Sequence, residues 1–357
     1  MAFQYHNAYS HTFVDLTGGL TESELYELLS IEPIGRIQIN GKPEIISDDT
    51  AVLLNRFFEE RPEVILRFYG FYRETLDLAV LRNIPKLQKL SIDYSENVIN
   101  TEWIASLKNL DVLNFDVSDA KEFPFLIDLP ASLTALSLGS KSPKTDLSNL
   151  SRFPDLKVLD LNGCKGHIET IASLLNLEEL HLRGITPPGF DFIATLPKLE
   201  SLNIFWSNLK DFTPLKNNKS LRYLNIGRIT GLDNVSFVSE LSNLEWLELV
   251  WMPNIVALPD MKYLHKLWYI KLDTMKGLAD FSALESAPAL RIFEDVAVPS
   301  SIQPENFLPV LRNPSLEACR VFFSSSKKNK QIAELTEAHG KASKYEIHTP
   351  FRGTPFL

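Results

Sequence analysis

The chain has 357 residues, 45% apolar and 23% charged, which is enough for a large buried core and excludes wholesale disorder. A net charge of −9 argues against non-specific binding to nucleic acid or anionic membrane, and no apolar run approaches the ~18–20 residues that span a bilayer. Two cysteines, Cys164 and Cys319, exclude a multi-bridge disulfide scaffold and suit a reducing compartment.

The opening residues MAFQYHNAYSHTF have neither the basic start nor the apolar core of a secretion signal, so a cytoplasmic location is expected. Next, Thr21-Glu22-Ser23-Glu24 ahead of Leu25, Leu28 and Leu29 predicts a capping box opening an amphipathic helix. A second helix is predicted from about Asp48 through Leu53, Leu54, Phe57 and Phe58 until Pro62 stops it. Residues 1–60 hold ten acids and three bases, as suits a solvated end to a core. Residues 1–62 are read as an N-terminal cap of helices and degenerate repeats, 63–323 as a repeat array, and 324–357 as a C-terminal cap and tail.

The array follows the pattern L-x-x-L-x-L. It starts at Leu87, Leu110, Leu133, Leu156, Leu177, Leu199, Leu221, Leu244 and Leu267, at spacings of 21 to 23 residues. Decayed copies follow at Leu290 and Leu316, and two more precede the array, at Ile34–Ile39 and around Leu66–Phe68. Between the strands, apolar residues recur every third position, as in Ile168, Ile171, Leu174 and Leu177 or Val235, Val238, Leu241 and Leu244. A period of three predicts 3₁₀ or tight helical turns rather than full α-helices. Neither part can bury its leucines alone, so the repeats must stack with a parallel sheet on one side. After the array, a short helix is predicted over Gln331–His339, followed by a loose tail, EIHTPFRGTPFL.

This pattern resembles the leucine-rich repeat family and is most similar to bacterial internalin-type repeats of 22–23 residues. Over roughly residues 34–321 the resemblance implies an α/β solenoid. That fold is a leucine-rich repeat horseshoe with a concave parallel β-sheet and short 3₁₀ or helical segments on the convex side. The family's Asn or Cys after the strand is met here only by Cys164. The equivalent sites hold Ser95, Ser118, Lys141, Ile185, Ser207, Ile229, Met252 and Met275. The secretion signal and wall anchor of true internalins are missing, so the resemblance carries the fold and not surface adhesion.

Motifs for phosphate loops, dinucleotide binding, zinc proteases and serine hydrolases are absent, and the seven histidines show no ligand spacing. Cys164 sits where the repeat wants a small buried group and Cys319 replaces a core leucine, so both are read as structural. Three N-x-S sequons, at Asn149, Asn218 and Asn234, are read as incidental. Fewer than 40 residues follow the array, too few for the catalytic domain of a repeat-bearing ubiquitin ligase. No enzymatic activity, cofactor, metal or small-molecule substrate is expected.

The concave face is left. In L1-x-x-L4-x-L6, positions three, five and seven project away from the leucines and position eight lies at the rim. From Leu199 to Leu267 these positions collect Phe205, Trp206, Tyr223, Trp246, Trp251 and Tyr269, interspersed with Arg228, Glu248, Lys271 and Asp273. Aromatics with a charged surround have the composition of a protein interface. The expected function is non-enzymatic binding of a folded protein on this face, with no nucleic-acid or membrane partner. Its sharper form is a cytoplasmic inhibitor or immunity-type protein against a toxin or enzyme. The alternatives are a bacterial effector or adhesion module exported without a cleaved signal, and an enzyme whose site has no recognisable motif. Stacking of the aromatics on one another, or cover by the C-terminal segment, is the competing account of the patch.

Overall fold

A five-residue strand buries its leucines only if another strand lies alongside in the same register. The computed structural model describes residues 2–8, 11–142 and 145–345. It divides into two compact units, one ending at Leu174 and one starting at Leu175. The tail from Glu346 lies outside the described residues.

The first unit opens with an antiparallel hairpin of β1 (Phe3–Ala8) and β2 (His11–Leu16), within the stretch the sequence assigns to a helical cap. Phe3, Val14 and Leu16 supply its buried side. From β2 onward the sheet is parallel, through β3 (Arg36–Asn40) and β4 (Ile65–Tyr69). The next strands are β5 (Leu76–Asp77), β6 (Lys89–Ser95), β7 (Val98–Ile99), β8 (Val112–Val117), β9 (Ala135–Gly139) and β10 (Val158–Asn162). Of these, β5 and β7 pair apart from the main sheet. The predicted helices are both present. In α1 (Glu22–Leu29), Thr21 and Glu24 form the reciprocal capping box, and Leu25 and Leu28 face the core. In α2 (Asp48–Glu60), capped by Ser47, the buried face carries Leu53, Leu54, Phe57 and Phe58.

The second unit is an all-parallel run of β11 (Glu179–Arg183), β12 (Ser201–Phe205), β13 (Tyr223–Gly227), β14 (Trp246–Val250), β15 (Tyr269–Asp273), β16 (Ile292–Val298) and β17 (Ala318–Phe323). Equal repeat positions lie opposite one another, Leu180 on Leu202, Leu202 on Leu224, Leu224 on Leu247 and Leu247 on Ile270. Strands β11 to β15 thus occupy positions three to seven of their repeats, as the periodicity requires, and β16 and β17 start at position three and run one or two residues further. The period-three segments form 3₁₀ turns at Ser148–Arg152 and Ile168–Ser173 in the first unit and at Thr213–Asn217 and Ser236–Glu240 in the second. One of them closes as a single α-turn, α3 (Asp191–Ala194). After α4 (Leu308–Arg312), α5 (Ser326–Ala338) starts five residues ahead of the predicted helix. The reason is a cap: Ser325 accepts the Lys328 amide.

Both thiols are buried among these repeats. Cys164 Sγ lies 3.6 Å from the Leu138 carbonyl and 3.4 Å from that of Asn162, taking the place of the family's small polar residue. Burial pushes both Cys164 and Cys319 up to about 12, so each stays a protonated, unreactive thiol. The sequon residue Asn218 is also internal, donating to the Leu196 carbonyl and accepting the Ser220 and Leu221 amides.

Candidate functional site

The ten residues singled out from the sequence all fall in the second unit, but they separate into two populations. At position three, parallel register sets Tyr223 beside Trp246 and Trp246 beside Tyr269. Strands ~4.8 Å apart let flat rings tilt onto one another. Trp246 and Tyr269 stack with centroids 3.6 Å apart and planes at 26°, and Trp268 meets Trp246 edge-on at 5.4 Å. Tyr223 is 6% exposed and Trp246 and Tyr269 only 2%. The sequence places these three at an open interface centre. The structure closes them into a satellite core, because side chains that leave the sheet on one face are buried once their neighbours are equally large.

Position five carries the polar complement of that stack. Glu248 accepts the Trp246 Nε1–H at 2.8 Å and pairs with Lys271 Nζ at 3.5 Å. Glu294 is buried, accepts the Tyr269 hydroxyl and pairs with Arg320. Burial first, and the Glu294 carboxylate second, raise Tyr269 above the usual phenol range, so it remains a hydrogen-bond donor. Asp273 accepts the Thr274 hydroxyl at 2.6 Å. Glu248, Lys271 and Asp273 therefore serve bonds inside the sheet rather than standing as free rim charges.

Position eight behaves differently. In six consecutive repeats its residue is left-handed, with φ of 66° at Gly184, 57° at Trp206, 54° at Arg228, 56° at Trp251, 53° at Thr274 and 59° at Ala297. The cause is the ladder itself. The Trp206 amide donates to the Gly227 carbonyl, Arg228 to Val250, and Trp251 to Asp273, so each strand gains one more bond only if the next residue turns. Glycine is the relaxed occupant of such a site, and a bulky residue there costs roughly 1–2 kcal/mol. The chain nevertheless puts two tryptophans and an arginine there. Trp206 is 52% exposed and Trp251 41%. Phe205, half-buried, leans on Trp206 with centroids 5.7 Å apart. Gly227 makes room for it, since a Cβ there would stand 2.3 Å from the Phe205 ring.

The guanidinium of Arg228 lies over both indoles, 5.6 Å from the Trp206 centroid and 4.9 Å from that of Trp251. Arg183 approaches the Trp206 ring at 6.0 Å and Lys276 that of Trp251 at 5.5 Å. The sequence reading leaves Arg183 and Lys276 out of the candidate set. Arg183 was legible as part of a cation–indole alternation across repeats, whereas Lys276 lies past the strand, where no repeat position marks it.

Two further polar features lie elsewhere. Asp295 holds position six, a core leucine position, between Leu272 and Val321, and is 2% exposed. Burial, then the neighbouring Asp273, raise its carboxyl well above the usual range. In the first unit a lateral polar row links His6 to Asp15 at 3.0 Å, Gln38 to Asp15 at 2.7 Å, Arg67 to Gln38 at 3.3 Å and Arg67 to Asp93 at 2.9 Å. Among the described residues no group of three His, Cys, Asp or Glu side chains could hold a metal ion. No helix there is long and apolar enough to cross a membrane.

The repeat, its register and the 3₁₀ return segments define a leucine-rich repeat fold. A leucine-rich repeat protein of Leptospira interrogans, LIC12759, superimposes with a TM-score of 0.55 at 18% identity, covering 92% of this chain and 93% of that one. The internalin InlF of Listeria monocytogenes gives a TM-score of 0.47 at 14% identity over 87% and 86% of the two chains. By sequence, the disease resistance protein At4g27190 of Arabidopsis thaliana is 24% identical over 197 residues, 52% of this chain and only 18% of that protein. No protein-family model matches the sequence.

Proposed function

We propose that the chain is a non-enzymatic binding protein that holds a folded protein partner against the exposed position-eight row of its second unit. The observation that carries this reading is the exposure of Trp206 and Trp251 around Arg228 on backbone that a glycine would occupy without strain. Binding energy at protein interfaces concentrates in Trp, Tyr and Arg, and strained backbone gathers where function requires it. The leucine core and the Tyr223–Trp246–Tyr269 stack need none of these side chains. A binder of this kind acts by occupying its partner, which is the mode of an inhibitor or immunity-type protein in the cytoplasm. The test is affinity capture from the native host, with the partner identified by mass spectrometry and titrated by calorimetry. A Trp206→Gly/Trp251→Gly double variant should bind at least ~30-fold more weakly. Unchanged affinity would remove this surface from the function.

A further inference from the structure

Cations and indoles alternate from strand to strand around the position-eight row, with Arg183 one residue before that position and Lys276 two residues after it. A cation ends β11 (Arg183), an indole follows β12 (Trp206), a cation follows β13 (Arg228), an indole follows β14 (Trp251), and a cation lies just beyond β15 (Lys276). Among the described residues none of the three cations has a carboxylate partner within salt-bridge distance, whereas Lys271 and Arg320 at position five pair with Glu248 and Glu294, and Arg222 at position two pairs with Glu200 and Glu245. Resting on the protein-binding reading above, we infer that this row is a docking strip for an acidic, extended segment of the protein partner, with a carboxylate at every third residue.

The spacing carries the argument. Cations recur on every second strand, ~10 Å apart at ~4.8 Å per strand, and a chain extended in the polyproline II form advances ~3.1 Å per residue with three residues per turn, so every third side chain returns to the same face after ~9 Å. The segment runs across the strand ends and sets one carboxylate on each cation. The residues between face the indole edges and Phe205, where small or apolar groups find contact. Guanidinium groups held over indole rings lose little freedom on taking a carboxylate, and their planar fork suits a bidentate bond. A nucleic-acid strand makes the weaker fit, because it needs open indole faces for its bases and Arg228 already lies over both rings. The chain's overall charge of −9 opposes a long polyanion more than a short segment whose contacts fall within a Debye length of the strip.

The test uses the full chain and a fluorescein-labelled peptide repeating Asp-Ser-Gly four times, read by anisotropy in 50 mM salt. The comparator peptide has the same composition with its four aspartates adjacent. The spaced peptide should bind about tenfold more tightly than the clustered one, and Arg228→Glu should weaken it at least tenfold. Trp206→Gly/Trp251→Gly, which relaxes the backbone and so keeps the fold, should abolish the preference for spacing. Three results overturn the inference: no binding of the spaced peptide at millimolar concentration, equal binding of both peptides, or tighter binding of a twelve-nucleotide thymidine strand. The captured partner separates the two readings. If it loses affinity with the tryptophan variant but not with Arg228→Glu, protein binding stands and the acidic segment fails. If it is indifferent to both, the protein-binding reading of this surface fails as well.

Discussion

Replacing Trp246 with alanine separates a fold role from a binding role more sharply than any other single change. The side chain is 2% exposed, stacks on Tyr269 at 3.6 Å and donates its indole N–H to Glu248 at 2.8 Å. Returning ~200 Å² of buried aromatic surface to water at ~25 cal/mol per Å² costs ~5 kcal/mol. The lost hydrogen bond adds ~1 kcal/mol, and relaxation of the neighbours recovers part, so a net cost of ~3–5 kcal/mol is expected. That is a large share of the ~5–15 kcal/mol by which folded chains are stable. Urea unfolding read by far-UV circular dichroism measures it without relying on the fluorophore that is removed. The cycle with Tyr269→Ala should show a coupling of ~1 kcal/mol, since the two rings touch. Trp206→Gly, at an exposed left-handed site, should stay within ~1 kcal/mol of the parent. Partner affinity should follow the opposite order, weakened by Trp206→Gly and little changed by Trp246→Ala in the folded protein. A Trp246→Ala chain that unfolds at the parental midpoint would refute the stack as a structural element.

Asp295→Asn tests the polar residue in the leucine core. The carboxyl titrates in the fold well above its unfolded value of about 3.9, so it is neutral in acid and its ionisation is resisted as pH rises. Stability from this site is therefore full below about pH 4 and is lost as pH climbs through the folded value. The variant should match the parent near pH 4 and exceed it at pH 7 to 8 in unfolding midpoint; parallel profiles would refute the assignment. With both thiols raised to about 12 and buried, neither Cys164 nor Cys319 should react with a disulfide reagent at pH 8 until denaturant is added. Rapid labelling of the native protein would contradict that. Gly163 has φ of 77° and a Cβ there would stand 2.1 Å from the Ser140 carbonyl oxygen, so Gly163→Ala should cost at least ~2 kcal/mol. Gly340, at φ of 68° with nothing within 4 Å of the added carbon, should lose only ~1 kcal/mol in the same exchange. Similar losses at the two sites would show that the clash is relieved by movement.

Much of the fold is legible from residue order because it is set by short-range rules. A leucine period of 21 to 23 residues, strict alternation within each strand and a period of three between strands dictate which side chains must be buried and where strands begin. The helices at Glu22–Leu29 and Asp48–Glu60 announce themselves through their caps. The hairpin of β1 and β2 does not, because its alternation is too short and too polar to stand out. The outward face is a different matter. Alternation says only that Tyr223, Trp246 and Tyr269 leave the leucine core, and the distance between neighbouring strands decides that they bury one another instead of facing solvent. The same holds for Asp295, whose environment comes from Leu272 and Val321 on flanking strands. It holds above all for Trp206, Arg228 and Trp251. Their left-handed backbone follows from an extra ladder bond to the next repeat, and their exposure follows from that turn. Residue order determines the repeat; which outward side chains remain available to a partner is a property of strands packed side by side.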